Sequence, residues 1–157
     1  MTGTRNRDTL SLPLVPKVLG FAGLLPQAAA VAVMAFGPEA WHFSALALAY
    51  AYAALILSFL GGMWWGLAAA AAGEASAWIW LAAVAPSIIA LATAVPWAIG
   101  AAWPGPSLVI LGVAVLASLL IDRRLRAEGL TPAWWMSLRV PLSAGLGALT
   151  LAAAALS

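Results

Sequence analysis

Long unbroken runs of apolar residues organise this chain, in place of alternating or striped patterns. The runs cover residues 18–36, 43–72, 77–98, 107–121 and 140–156. Roughly 20 apolar residues at about 1.5 Å rise span the hydrocarbon core of a bilayer. The pattern therefore predicts an all-α fold: a polytopic transmembrane bundle of about five helices. Residues 1–17 form a polar, basic amino-terminal tail, and residues 18–157 form a single transmembrane domain.

Punctuation inside the runs refines this picture. Pro26 interrupts the first run and predicts a kink, and Gly37-Pro38-Glu39 ends that run. The second run, fully helical, is about 45 Å long, more than the core needs. It must tilt, extend past the membrane face, or break, with Gly61-Gly62 the weak point. A turn containing Glu74 follows. Pro86 lies near the middle of the third run and predicts a second kink. Residues 100–106 read as a loop rich in turn formers, and residues 122–139 as the one substantial polar loop. A signal peptide is the rival reading of the first run, set aside because the run continues past any cleavage site and more spans follow.

Composition agrees, with 65% of the residues hydrophobic and 8% charged, too few polar groups to cover a soluble domain of this size. Cysteine is absent, which removes disulfides, thiolate metal sites and a thiol nucleophile. The net charge of +2 comes from few residues and makes no nucleic-acid footprint. Those residues instead report topology. With five spans, all 7 Lys and Arg residues fall on one side: Arg5, Arg7, Lys17, Arg123, Arg124, Arg126 and Arg139. The positive-inside rule places the amino terminus in the cytoplasm and the carboxyl terminus outside. Four spans would put some arginines on the wrong side. Tryptophan favours the headgroup level. Trp41, Trp97 and Trp103 would mark the outer boundary, and Trp64, Trp65, Trp78, Trp80, Trp134 and Trp135 the inner one.

Candidate chemistry is sparse. Ser58, Gly62, Gly66 and Ala70 recur every fourth residue, a small-residue stripe suited to close helix approach. Ser58, Gly61, Gly62, Trp64, Trp65 and Gly66 thus define a packing face, or alternatively a crevice floored by glycine and walled by tryptophan. Asp122, Arg123, Arg124, Arg126 and Arg139 form a charged inner rim, read first as a topology anchor with Asp122 pairing to a nearby arginine, and alternatively as a hold for an anionic lipid headgroup. His42 is the single histidine, and with Glu39 alone nearby no metal site is expected. No acidic or basic residue is expected deep in a span, which argues against a pump or coupled transporter. No nucleophile–histidine–carboxylate set or nucleotide loop is apparent, and no cofactor is predicted.

Several of these residues, in order, resemble a known family. They are Gly20, Gly23 and Pro26; Ser58-Phe59-Leu60-Gly61-Gly62-Met63-Trp64-Trp65-Gly66; Pro86-Ser87; Asp122-Arg123; Pro132 and Trp134; and Leu138-Arg139-Val140-Pro141-Leu142. The chain is similar, over nearly all of its length beyond the tail, to the bacterial membrane family catalogued as domain of unknown function 3429. The mitochondrial transmembrane protein 69 is similar to that family. The resemblance implies a polytopic inner-membrane protein of about five helices and implies no activity. Members often carry histidine at the position of Trp64, so any chemistry done by that histidine would be lost here. The leading functional expectation is a non-enzymatic accessory or assembly component, with membrane lipids and a membrane protein or a second copy as partners. The alternatives are a binder or carrier of lipid, quinone or another small molecule and, third, a membrane-embedded enzyme.

Overall fold

The computed structural model describes residues 12–71, 75–101 and 103–157. It is an all-α transmembrane bundle, with 5 helical stretches long and apolar enough to cross a membrane. The expected turn residue Glu74, together with Arg5 and Arg7, lies outside the described residues.

The first stretch is two helices, α1 (Leu14–Ala22) and α2 (Leu25–Phe36), with a step at Gly23-Leu24. Pro26 has no N–H to donate back along the helix, and proline disfavours helical geometry in the residue before it. The carbonyl of Gly23 is satisfied from outside, by the Tyr52 hydroxyl of the next helix. The two helices are joined by a local step in which Gly23 and Leu24 keep right-handed helical dihedrals.

The second stretch starts with a 3-10 turn (Glu39–Trp41) and continues as α3 (His42–Ala70). It does not break at Gly61-Gly62. Gly61 is held by close contact instead, because an added Cβ would collide with the Ala83 carbonyl and lie 3.3 Å from the Pro86 ring. Both groups belong to α4 (Ala77–Ala98), which runs through Pro86 and Pro96 without interruption. The missing Cβ serves approach between helices, not bending.

The buried face of α3 carries Ala45, Ala49, Ala53, Leu57, Gly61, Trp64 and Ala68. This is a small-residue stripe, but it is not the expected one. Ser58, Gly62, Gly66 and Ala70 lie one residue later, about 100° around the helix. A Cβ at Gly62 or Gly66 would meet nothing within 4 Å. Among the described residues, those two glycines therefore make no close helix contact.

Helix α5 (Gly105–Ala127) extends well past Ile121, and α6 (Trp135–Ala155) begins before Val140, so the polar loop is shorter than expected. Gly129, with φ 75°, ends α5 in the left-handed conformation that favours glycine. Leu130 N–H reaches the Leu125 carbonyl at 3.0 Å and Gly129 N–H the Arg126 carbonyl at 3.1 Å, a Schellman cap. Helices α5 and α6 meet closely where Gly112 faces Gly147, each 3.3 Å from the other's carbonyl if a Cβ were added. This contact fixes the relative height of the two helices and so the site described next.

Candidate functional site

The C-terminal ends of α3 and α5 and the start of α6 converge around one carboxylate. Asp122 is completely buried and Arg139 is 7% exposed. Arg139 Nε donates to Asp122 Oδ2 at 2.7 Å. The other carboxylate oxygen, Oδ1, accepts from Trp64 Nε1 at 3.0 Å and Trp135 Nε1 at 3.2 Å. Arg139 Nη2 donates to Ser118 Oγ at 3.2 Å, and that hydroxyl donates to the Val115 carbonyl. The result is a buried ion pair with three donors on its carboxylate.

Asp122 pairs with an arginine as expected, but its place differs from expectation. Asp122 and Arg139 do not belong to an exposed headgroup rim, and charge does lie inside the bundle. The reason is geometric: because α5 continues to Ala127, Asp122 falls on its core-facing side one turn after Ser118. Arg123, Arg124 and Arg126 do remain exposed. Arg124 pairs with Glu128 at 3.3 Å and lies 4.0 Å over the Trp78 ring, while Trp78 Nε1 donates to Glu128.

The tryptophans divide accordingly. Trp64 and Trp135 point inward as donors, whereas half-exposed Trp65 meets Trp80 edge-on at 4.7 Å. The crevice of glycine and tryptophan therefore does not form: Trp64 and Trp65 face different ways, and Gly62 and Gly66 are open. Gly61 and Pro86 come together at the α3–α4 contact. Among the described residues no group of three or more metal-ligating side chains occurs, and His42 sits at the start of α3.

Ser118 was expected to hydrogen-bond within or between helices and does so, while sequence reasoning assigned no role to Gln27, Ser143 or Thr150. Ser118 completes the ion-pair network. Gln27 is fully buried on α2, its Nε2 donating to Thr150 Oγ1 at 3.2 Å while its Oε1 has no partner. Ser143, 1% exposed, carries an Oγ without a partner. The missed signal was spacing. Ser118 and Asp122 are one helical turn apart, and so are Arg139 and Ser143, which aligns polar groups along the facing sides of α5 and α6.

Arg139 and Ser143 also line a cavity of about 290 Å³ between α1, α3, α5 and α6. Its other walls are apolar, including Leu19, Gly23, Phe59 and Leu142. Chemically, the carboxylate is spent. With both oxygens engaged by three donors, it is not poised as a general acid or base, which needs a proton within reach of a substrate.

No curated protein and no solved structure matches the chain. A family model described as "Protein of unknown function (DUF3429)" does match, over residues 12–155. The motif order and the match over nearly the whole chain agree, and the chain belongs to that family.

Proposed function

We propose that this protein is a non-enzymatic accessory or assembly component of a membrane complex, lying in the inner membrane with its basic end in the cytoplasm. The observation that carries this reading is the uncovered stripe on α3. Gly62 and Gly66 present bare backbone, with no atom of the described residues within 4 Å of where a Cβ would stand. Small residues every fourth position on a lipid-facing surface let a second transmembrane helix approach closely, gaining dispersion contacts that lipid tails fill poorly. The same chain uses that device internally at Gly61 and at Gly112–Gly147. The buried polar groups support a scaffold role, since they link helices to one another.

The test uses the absence of cysteine. A single Gly62→Cys variant, expressed in membranes and treated with a bifunctional thiol reagent, should crosslink to one discrete neighbour. Mass spectrometry then separates a second copy from a different protein. The double variant Gly62→Leu/Gly66→Leu should lose the neighbour while melting as wild type in detergent. An assembly of unchanged size in that variant would overturn the proposal.

A further inference from the structure

A second site lies at the end of the bundle opposite the buried ion pair, away from the open glycines of α3. A pocket of about 360 Å³ is bounded there by the start of α3, the end of α4 and the residues just before α5. Four of its seven lining residues are aromatic: Phe43, Tyr50, Trp97 and Trp103. The sequence makes the room. Phe43, Ala47 and Tyr50 stand at i, i+4 and i+7 on one face of α3, so a small side chain separates two rings, and Ala51 extends the gap.

An interfacial belt spreads its rings around a protein. Here rings from three separate segments converge on one gap. Trp103 joins them: it meets Tyr50 edge-on, with centroids 4.9 Å apart and planes at 74°, and lies beside Trp97 at 5.9 Å with planes inclined by 35°. The Tyr50 ring is fixed by the hydrogen bond between its hydroxyl and Thr93 Oγ1 at 3.0 Å. Phe43 and Trp97, 65% and 64% exposed, stand at the rim. A lipid tail needs only aliphatic walls, as in the cavity beside α1, whose one aromatic is Phe59. Aromatic walls add a quadrupole, negative over each ring face, which attracts a weakly hydrated cation. Charge agrees. Among the described residues no Lys or Arg lies at this end, and Glu39 stands in the 3-10 turn that leads into α3. No carboxylate or amide lines the pocket to replace the water of a metal ion or of a primary ammonium. A methylated ammonium has no N–H to satisfy and sheds its water at less cost.

We infer that this pocket binds a methylated ammonium group of the choline type, held by cation–π contact with the converging rings and drawn to that end by the charge of Glu39.

The experiment is equilibrium dialysis of radiolabelled choline against the purified full-length protein in an uncharged maltoside detergent. Saturable binding at one per chain is expected. Dimethylbutanol, the uncharged tert-butyl isostere of choline, should displace the label at least about tenfold more weakly than choline does. Trp97→Leu should weaken binding by about two- to thirtyfold, and Trp97→Phe by less, because indole is the stronger ring. The melting temperature of Trp97→Leu should hold, since that ring is largely exposed. Should it misfold, Phe43→Leu on a different helix carries the test. Glu39→Gln should weaken binding about twofold, a difference that closes as salt rises. Gly62→Leu should bind as wild type, so loss of assembly and loss of binding are separable. A short-chain phosphocholine lipid that displaces the label far better than choline identifies a lipid headgroup as the source, and equal or weaker displacement identifies a free solute. Absence of saturable binding, equal displacement by choline and dimethylbutanol, or unchanged binding in folded Trp97→Leu and Phe43→Leu would overturn the inference.

Discussion

Of the polar clusters inside this bundle, two are built on opposite terms. At the basic end, Asp122 draws together α3, α5 and α6, with both carboxylate oxygens hydrogen-bonded. Further along the bundle, Gln27 ties α2 to α6 through Thr150, and half of its amide is left over. The charged cluster is closed because a bare carboxylate in an apolar interior costs several kcal/mol. The neutral cluster tolerates an orphan because an amide oxygen without a partner costs less, about 1–3 kcal/mol. Polar groups in this core are therefore not equivalent: one cluster holds the fold together, and the other is carried by it.

The contrast is broken most directly at Arg139. Arg139→Met leaves Asp122 buried without its cation and should cost about 3–5 kcal/mol in reversible unfolding from mixed micelles. Combining it with Asp122→Leu should recover most of that loss, since an apolar replacement of a whole buried pair is often neutral. A double variant as unstable as Arg139→Met alone would show that the two side chains do not act as a unit. Next in size is the Trp64 donor. Trp64→Phe should lose about 1.5–3 kcal/mol, as for a hydrogen bond to a charged group. Trp64→His keeps an N–H and should fall between wild type and phenylalanine. The smallest effect is expected at Gln27. Gln27→Leu removes the orphan oxygen while Thr150 keeps its bond to the Leu146 carbonyl at 2.8 Å. Its stability should lie within about 1 kcal/mol of wild type, and a loss as large as that of Arg139→Met would erase the distinction between the clusters.

Much of the architecture was legible in the sequence because the bilayer imposes it. Apolar run length and the segregation of basic residues read out five helices without reference to packing. Rotation about a helix axis is another matter. The stripe beginning at Ser58 and the one beginning at Ala45 have the same period, and both are apolar or small. Nothing in the period says which faces protein and which faces lipid, because both environments are apolar. The choice was made by Ala83 and Pro86 on a different helix. Asp122 was misplaced for a related reason. A charge at the end of an apolar run reads as the end of the span, and its partner, Arg139, stands across a loop that hydropathy alone makes too long. The step at Gly23-Leu24 was half legible, since Pro26 marks it but Tyr52, which satisfies the exposed carbonyl, comes from the next helix.

The placement of Asp122 and Arg139 on successive helices bears on how the chain enters the bilayer. Threaded in alone, α5 would carry a carboxylate into hydrocarbon at a penalty of about 2.5–3.5 kcal/mol at full depth. Held with α6 as a hairpin, the same residue enters already neutralised, because its cation stands across the short Gly129-capped connection and the glycine contact sets both at one height. The two final helices thus form one unit of biogenesis. A ribosome-bound chain that has released α5 but not α6 keeps its carboxylate near the membrane surface until the arginine arrives, and arrest at that length exposes α5 as a waiting intermediate.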